Sequence, residues 1–417
     1  MRKNRFILHS DLTNFYASVE CMENPELEKV ALVVCGDASK RHGVVLAKNN
    51  LAKSLGVKTG DVIWEAKEKC RGVEFKAITA NFDKYNAISK KVKAIYKEHS
   101  DKVESFGIDE AWIDISKTVS TWKDAVEIAE MIYKQVLEEC GLVVFIGLSF
   151  NKIFAKLGSD LKDSEHVSVI TPGNFQYYIW PLPVSKLLFV GSKTEKKLEK
   201  LNIKTIKDLA LASSHTLELI FGKNGKTLWE FANGLDSSEV LNANDHYPIK
   251  SIGNSITCPV DLKTNKQIES VVFTLCETII ARARKHNVWA NEIQVFIKTN
   301  NLISFERQTK LPYPINNVQD LAQNALKLIA TCYDWKLPIR ALGVRIKNFS
   351  EKPTQMSMFF DMKDLEKKES IDKTVEKLRN KYGNNIIKRA VVMQTEELRL
   401  IDPSSTAHEI HPISYKV

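Results

Sequence analysis

The sequence of 417 residues lacks any long apolar run. Its longest, within residues 141–150, has about half of the roughly 18 residues that a membrane helix needs. The N-terminus is basic but has no apolar core of a secretory signal. These absences predict a cytoplasmic protein with no membrane association. Apolar residues make up 44% of the chain and charged residues 27%, a balance that excludes a wholly disordered or collagen-like protein.

The seven cysteines are not arranged as ligands or as a disulfide framework. They form no CxxC pair and no close group with histidine, which argues against structural zinc. We expect most of them to be small core residues in a reducing compartment. The chain also has no internal repeat, and its length suggests about two to four domains.

Positive charge is in modest excess. The chain has 60 Lys and Arg against 51 Asp and Glu, and its net charge of +9 is a weak indication of a polyanionic partner. The excess is concentrated, since residues 241–350 hold 14 basic and 8 acidic residues. This segment is therefore the better candidate for contact with a polyanion.

The N-terminal half alternates between strand and helix patterns. Apolar alternation predicts strands over residues 6–11, 103–115 and 142–148, with helices from Phe15 and over residues 122–140. This order indicates an α+β fold on one sheet. The following residues, 183–232, are predicted to be short helices with glycine breaks, and polar residues 236–247 a linker.

The C-terminal half has a more regular pattern, βαββαβ, which is typical of one sheet with helices on one face. The predicted elements cover residues 251–257, 264–286, 290–298, 303–311, 317–333 and 340–348. In the last strand, apolar residues alternate with Gly343, Arg345 and Lys347. One face of the sheet should pack on the helices, and the other should present cations.

Carboxylates occupy two of the predicted strands. Asp11 ends the first strand, and Asp109 and Glu110 lie between Ile108 and Trp112. Because burying an unpaired charge is costly, these acids are expected to share a cation. Hard oxygen ligands suit Mg²⁺ bound together with a phosphate, as in two-metal nucleotidyl transfer. The alternative is that each acid is an ordinary strand-end or surface residue, since motifs this short recur by chance.

Longer motifs around these acids carry a family resemblance. They are DLTNFYASVE at residues 11–20, GVKTG at 56–60, SFGIDEA at 105–111, GLS and NKIFAK within 147–156 with Asp160, and KSIG at 250–253. In this order they resemble the Y-family translesion DNA polymerases, most nearly the polymerase IV (DinB) branch and its UV-damage-repair relatives. The resemblance covers about residues 5–350.

The resemblance implies an α+β right-hand polymerase. The expected parts are a palm (1–22 and 77–168), small fingers (23–76), a helical thumb with a helix-hairpin-helix (169–235), a linker (236–249), a βαββαβ little finger (250–350) and a C-terminal tail (351–417). The implied activity is low-fidelity, template-directed DNA synthesis past damaged bases by a monomer. Its implied partners are primer–template DNA and deoxynucleoside triphosphates.

The resemblance also implies which residues hold the metal. Asp11, Asp109 and Glu110 match the catalytic carboxylates, the Leu12 carbonyl matches a backbone ligand, and two Mg²⁺ ions are expected. A competing hypothesis is a non-catalytic scaffold, because some relatives keep the fold and recruit another polymerase to the clamp. Those relatives lose the palm carboxylates, and the presence of all three here favours an enzyme.

Other matches concern the incoming nucleotide. Tyr16, next to Phe15, matches the steric gate, whose ring clashes with a ribose 2′-OH. Lys156 matches the lysine that binds the triphosphate and offsets charge on the leaving pyrophosphate. In the fingers, Asn50 and Lys53 stand where many relatives have tyrosine and arginine. Lysine acts as a point charge without the bidentate fork of arginine, and Asn50 can donate one hydrogen bond where a tyrosine hydroxyl would, so the sequence leaves the triphosphate affinity open.

Further departures surround the same region. They are Ala47 in place of threonine, Thr13 in place of a second aspartate, Gly107 in place of serine, and Leu46 in place of a smaller residue above the nascent base pair. Catalysis is not excluded by these changes. The range of lesions that the site accepts is the property they put in question.

Two segments resemble DNA-binding surfaces. Between Lys186 and Lys207 there are seven lysines and two glutamates around a glycine turn, as in a helix-hairpin-helix that binds phosphate through backbone N–H groups. A lysine-rich solvated helix face is the alternative. The residues expected to contact DNA are Lys193, Lys196, Lys250, Ser251, Arg345 and Lys347. Binding should be independent of base sequence and sensitive to salt.

A short motif follows the little finger. It resembles the peptide that binds the bacterial sliding clamp, and its residues are Gln355, Met356, Ser357, Met358 and Phe359. The alternative is a tail that packs against its own domain. No function is assigned to residues 361–417, of which 371–382 have a helical pattern.

Overall fold

The computed structural model describes residues 5–37, 43–161, 166–243, 245, 248–334, 336–351, 362–393, 397–398 and 401. The chain forms two compact units, of which the first contains residues 1–36 and 44–247 and the second residues 248–409, as far as they are described. No helix in the described ranges is both long and apolar enough to cross a membrane.

The first unit contains two sheets and the helices that pack with them. In chain order its elements are β1 (Ile7–Leu12), α1 (Phe15–Glu23), β2 (Ala31–Cys35), β3 (Val45–Lys48), α2 (Asn50–Ser54), α3 (Ile63–Lys69), β4 (Phe75–Thr79), α4 (Phe82–His99), β5 (Val103–Ser105), β6 (Glu110–Asp114), α5 (Trp122–Cys140), β7 (Val144–Ser149), α6 (Lys152–Asp160), β8 (Val167–Ile170), α7 (Phe175–Tyr178), α8 (Ser192–Glu199), α9 (Ile206–Leu211), α10 (Ser214–Phe221) and α11 (Lys223–Ala232).

A five-stranded sheet in the order β5-β6-β1-β7-β8 is the platform of this unit. Successive side chains of a strand point to opposite faces. Leu8, Ile113 and Ile146 therefore share one face and join the core formed with α4 and α5. Ile7 and Trp112 lie on the opposite face, where they pack with α6. The α+β fold class expected from the sequence is confirmed.

Local sequence signals explain the helix α5 that covers this sheet. Its buried residues recur at helical spacing and place one apolar face on the core. Thr121 accepts a hydrogen bond from the backbone of Asp124, whose side chain accepts one in return, so that the first turn is capped. Gly141 ends the helix at φ 62°, a conformation that glycine adopts without strain.

Two smaller cores complete the first unit. The three-stranded sheet β3-β2-β4 packs its apolar residues with α2 and α3. A helical cluster from α6 to α11 has a separate core that includes Phe154, Leu198 and Leu228. Apart from α6 and the end of β4, which fall in the predicted palm, these are the parts of the chain that the resemblance assigns to fingers and thumb.

The second unit is the predicted βαββαβ arrangement with helices added at its end. Its elements are β9 (Ser251–Leu262), α12 (Asn265–Lys285), β10 (Trp289–Thr299), β11 (Ser304–Ile315), α13 (Val318–Cys332), β12 (Ile339–Ser350), α14 (Met362–Tyr382) and α15 (Ala390–Met393). All neighbours in the sheet, in the order β11-β10-β12-β9, are antiparallel. In β12, Leu342, Val344 and Ile346 are buried as expected, whereas Arg345 is exposed.

The helix α14 belongs to the same compact unit as the βαββαβ sheet. Its Glu376 pairs with Arg284 of α12 at 2.8 Å, and its Arg379 pairs with Glu277 of α12 at 3.0 Å. Asp372 of α14 is buried and accepts a hydrogen bond from the backbone N–H of Val318 at 2.8 Å. These partly buried pairs hold α14 against α12 and α13, so the segment after the clamp-like motif is an added helical layer.

Candidate active site

The pairing of β1 with β6 brings the predicted acids to one edge of the five-stranded sheet. Asp11 lies directly opposite Glu110, and the backbone N–H of Leu12 donates to the carbonyl oxygen of Asp109 at 3.1 Å. Because residues opposite each other in a ladder share a face, the side chains of Asp11 and Glu110 lie on the same side. His9, two residues before Asp11, is on that face as well.

A loop interrupts the continuous strand that the sequence pattern predicted over residues 103–115. The strand breaks at residues 106–109, where the N–H groups of Phe106 and Gly107 both donate to the Glu110 carbonyl oxygen, at 3.1 and 3.4 Å. Lys93 Nζ of α4 donates to the Gly107 carbonyl oxygen at 2.6 Å. A Cβ at residue 107 would lie 3.2 Å from Asp109 Oδ1. The loop therefore presents Asp109 beside the end of β1.

The helix α6 carries a cation to the same face. Lys156 Nζ pairs with Glu110 Oε2, and both side chains are largely buried. The helix approaches the sheet closely because residue 147 of β7 is glycine, where a Cβ would collide with the carbonyl oxygen of Ala155. Asn151 caps the first turn by accepting from the backbone N–H of Phe154 at 2.7 Å. The predicted lysine is thus held within reach of a predicted acid.

His9 completes this group and was not predicted. Its Nε2 lies 3.4 Å from Glu110 Oε2, and its Nδ1 lies 2.8 Å from Ser159 Oγ of α6. Full burial lowers the pKa of His9. The alternation of β1 could have placed this residue on the face of Asp11, since the two are separated by one residue.

The pKa values of the neighbouring acids Asp109 and Glu110 are shifted in opposite directions. Burial raises the pKa of Asp109, and the adjacent Glu110 carboxylate raises it further. Burial also acts to raise the pKa of Glu110, but the contacts with His9 and Lys156 outweigh it and lower this pKa to about 2. Glu110 therefore has a cationic partner within the protein, whereas the charge of Asp109 is less well compensated.

The donor set fits a hard divalent cation, although the structure does not gather three ligands. Among the described residues, no group of three or more His, Cys, Asp or Glu side chains is placed to hold a metal ion. The oxygen-rich chemistry of Asp11, Asp109 and the Leu12 carbonyl is nevertheless that of a Mg²⁺ site. A cation beside Asp109 would also relieve the repulsion that raises its pKa. Glu110 is paired with Lys156 instead.

Aromatic rings surround the predicted steric gate. Tyr16 stacks on Tyr85 with ring centroids 4.5 Å apart and meets Phe82 edge to face at 5.8 Å. Tyr85 is itself fixed by a hydrogen bond from its hydroxyl to Glu20 Oε1 at 2.6 Å. Burial, followed by the charge of Asp109, raises the pKa of Tyr16 to about 12. The Tyr16 ring is therefore neutral and packed near an acid of the candidate site, and its neighbour Phe15 is buried beside it.

The two fingers residues lie on the short helix α2. Asn50 and Lys53 are both exposed. The Asn14 side-chain amide, from the loop between β1 and α1, donates to Asn50 Oδ1 at 2.9 Å. Sequence reasoning did not single out Asn14, and no local pattern joins residues 36 positions apart.

The residues predicted to contact DNA are on accessible surfaces of the two units. Lys193 and Lys196 are exposed on α8, which begins at the Gly191 cap. In the second unit, Arg345 of β12 is paired with Gly253 of β9, and Lys347 with Ser251. The stem of Arg345 lies over Gly253, where a Cβ would meet it at 2.9 Å.

Lys250 and Ser251 are exposed as well. The clamp-like residues Gln355, Met356, Ser357, Met358 and Phe359 lie outside the described residues.

Models of three protein families match the chain. The impB/mucB/samB family matches residues 10–160, and its C-terminal domain matches residues 249–358. Between them, residues 187–236 match the thumb domain described for DNA polymerase-iota.

Curated relatives and solved structures agree with these matches. The chain is 42% identical to DNA polymerase IV of Acetivibrio thermocellus over 95% of this chain and all of that protein. It is 33% identical to DNA polymerase IV of Clostridium acetobutylicum over 94% of this chain and all of that protein. A chimera of the Y-family polymerases Dbh and Dpo4 superposes with a TM-score of 0.72 at 25% identity, covering 83% of this chain and all of the chimera. A ternary complex of Dbh superposes with a TM-score of 0.58 at the same identity and coverage.

Proposed function

The chain belongs to the impB/mucB/samB family of Y-family DNA polymerases and is a DNA-directed DNA polymerase resembling polymerase IV, and we propose that it copies damaged templates. The specific proposal is low-fidelity translesion synthesis on primer–template DNA with deoxynucleoside triphosphates. The observation that carries it is the arrangement of Asp11 opposite Glu110, with Asp109 adjacent and Lys156 facing them. A scaffold that only recruits another polymerase would not need this arrangement.

In the proposed mechanism, the acids hold Mg²⁺. Asp11, Asp109, Glu110 and the Leu12 carbonyl are the residues that would bind it. Two such ions would supply Lewis acidity that activates the primer 3′-OH and stabilises the leaving pyrophosphate. The remaining steps belong to the side chains, which bind the triphosphate, orient it and select its sugar.

Lys156 and the fingers are proposed to bind the triphosphate. Lys156 is placed by α6 on the face that bears the acids, and its ammonium would offset the charge that develops on the leaving group. Asn50 would donate a hydrogen bond to a phosphate oxygen, and Lys53 would act as a point charge. Tyr16 would exclude ribonucleotides, because its ring is packed between Phe82 and Tyr85 and cannot swing away from a 2′-OH without leaving those two rings.

Primer extension tests the catalytic proposal. We expect the wild-type protein to extend a primer in the presence of Mg²⁺, and Asp109→Ala to lose this activity by several orders of magnitude. Asp101→Ala is the matched control, because Asp101 is exposed and lies outside the candidate site. No extension by the purified wild type would overturn the proposal. A panel of lesion-containing templates with single-nucleotide insertion then tests the translesion activity.

The clamp-like motif is a separate part of the proposal. We propose that residues 355–359 bind the bacterial sliding clamp, in which a glutamine and following apolar side chains enter a groove. Deleting residues 355–360 should abolish stimulation of synthesis by a purified clamp and leave synthesis without the clamp unchanged. Equal loss of both activities would contradict this assignment, because it would indicate a structural role for the segment.

A further inference from the structure

An amide–amide hydrogen bond joins the loop before α1 to the first residue of α2, beside the proposed nucleotide site. Asn14 Nδ2 donates to Asn50 Oδ1 at 2.9 Å. Asn14 lies between the acidic end of β1 and the steric gate Tyr16, and Asn50 is the first residue of α2. The bond therefore links the loop between Asp11 and Tyr16 to the segment proposed to contact the triphosphate.

The backbone of Asn14 is in an unusual conformation that is well held. Asn14 has φ 49° and ψ 36°, and its carbonyl oxygen accepts from the N–H groups of Ala17 and Ser18 at 2.9 and 3.1 Å. Asparagine tolerates this left-handed region better than other non-glycine residues. An asparagine at the start of a helix usually caps it with its side chain. Here the side chain makes no cap hydrogen bond and reaches Asn50 instead.

The backbone that carries Asn50 is equally well held. The preceding residue, Asn49, is buried and uses its side-chain amide fully. Its Nδ2 donates to the carbonyl oxygens of Leu27 and Val30 at 3.2 and 2.8 Å, and its Oδ1 accepts from the N–H groups of Leu32 and Ala52. The loop before α1 and the start of α2, each with a fixed backbone, thus meet through the Asn14–Asn50 hydrogen bond.

A side-chain amide has one accepting end and one donating end, and a triphosphate offers only acceptors. An unrestrained Asn50 could turn either end toward the phosphates, and the oxygen end would repel them. With Oδ1 occupied by Asn14, the NH₂ group of Asn50 is the end that remains for a ligand. We propose that Asn14 is a positioning residue that orients the Asn50 amide to donate to the incoming triphosphate.

This inference rests on the proposed function. It gives Asn14 a role that follows from the asparagine at position 50, where many relatives have tyrosine. A tyrosine hydroxyl at position 50 could rotate to donate without help. An asparagine gains the same directionality only if its oxygen is bound elsewhere. The pair at positions 14 and 50 therefore acts as one unit, and removing either member should have nearly the same consequence for nucleotide binding.

Single-nucleotide insertion kinetics on an undamaged primer–template test the inference. Asn14→Gly removes the side chain while allowing the left-handed backbone, and Asn287→Gly makes the same change at an exposed residue of the second unit with φ 53°. We expect Asn14→Gly and Asn50→Ala each to raise KM for the nucleotide by about two- to tenfold, the equivalent of one hydrogen bond, with kcat within about twofold. The double variant should be no worse than Asn50→Ala alone. Asn287→Gly should match wild type.

An acidic variant distinguishes a positioning role of Asn14 from a general structural role. The carboxylate of Asn14→Asp can only accept, so it would bind the Asn50 NH₂ group and turn Oδ1 toward the phosphates. We expect a larger rise in KM than for Asn14→Gly, with unchanged thermal unfolding and unchanged DNA affinity. An unchanged KM in Asn14→Gly would overturn the inference, and so would a rise in KM in the double variant equal to the product of the two single rises. Primer extension by the wild type would still leave the proposed function standing in either case. Failure of the wild type to extend would overturn both.

Discussion

A buried ion pair next to the candidate site allows a quantitative test of the fold. Lys152, the first residue of α6, is 1% exposed, and its Nζ lies 2.7 Å from Oε2 of Glu104, which is 6% exposed. The ammonium also lies 4.5 Å from the centroid of the Trp112 ring. The backbone N–H of Leu241 donates to the same carboxylate oxygen at 3.0 Å. The pair thus joins the start of α6 to β5 and to the segment after the helical cluster.

The perturbation is Lys152→Met, which keeps most of the apolar stem but removes the cation. Glu104 would then be a buried carboxylate whose described partner is one backbone N–H group. Removing one member of a buried pair costs about 3–5 kcal/mol, because the remaining charge is desolvated without compensation. Burial already lowers the pKa of Lys152, which indicates how little solvent stabilises either charge here. Lys152→Met with Glu104→Gln should restore most of the loss, since a neutral amide oxygen can still accept from Leu241.

Urea unfolding followed by circular dichroism measures both variants against wild type. We expect Lys152→Met to lower the free energy of unfolding of the first unit by about 3–5 kcal/mol and the double variant to lower it by less than half as much. A single variant within about 1 kcal/mol of wild type would refute the reasoning, because that is the range of an exposed pair. A double variant as unstable as the single one would also refute it, since the cost would then not come from an unpaired charge.

Three further predictions concern the site and the DNA surface. Gly147→Ala should destabilise the first unit by about 1–3 kcal/mol and reduce extension, because its methyl group meets the backbone of α6. Gly173→Ala is the control, because the atom nearest to its added Cβ is 3.8 Å away, and it should change neither stability nor extension in the same urea and extension assays. Tyr16→Ala should raise ribonucleotide incorporation relative to deoxynucleotides by roughly tenfold or more in single-turnover assays; unchanged selectivity would remove Tyr16 from the gate. Replacing Arg345 and Lys347 with glutamine should weaken primer–template binding. It should also reduce the slope of log affinity against log salt by about 0.9 for each phosphate that is no longer neutralised. An unchanged slope would show that neither side chain binds a phosphate.

Periodicity alone predicted the second unit well. Each strand and helix of the βαββαβ pattern occurs within a few residues of its expected position, because alternation in β12 and the apolar face of α12 are local properties of the sequence. The helix α5 occurs at residues 122–140 as predicted, since a capping box and a terminal glycine mark its ends. Local sequence signals are therefore enough to predict the position of a helix or strand that buries one face against a single core.

Pairing between distant residues was not predictable in the same way. The break at residues 106–109 depends on Lys93 and Ser89 of α4, which bind carbonyl oxygens of the loop. The docking of α14 depends on pairs such as Arg379 with Glu277, which are 102 positions apart. No alternation of apolar residues encodes such contacts, because they are made after the elements have formed and come together.

The pairing of Lys156 with Glu110 has a consequence for how the proposed site would assemble. If Lys156 binds the incoming triphosphate as proposed, its ammonium would be shared between the phosphate oxygens and the Glu110 carboxylate with which it pairs. Because Lys53 lacks the bidentate fork of an arginine, Lys156 would carry a larger share of the triphosphate charge in this chain. If its ammonium turned to the phosphates, the charge of Glu110 would be less compensated, and Glu110 would be better able to hold a cation. In the proposed mechanism, nucleotide binding and completion of the carboxylate site would therefore be coupled through one side chain, Lys156.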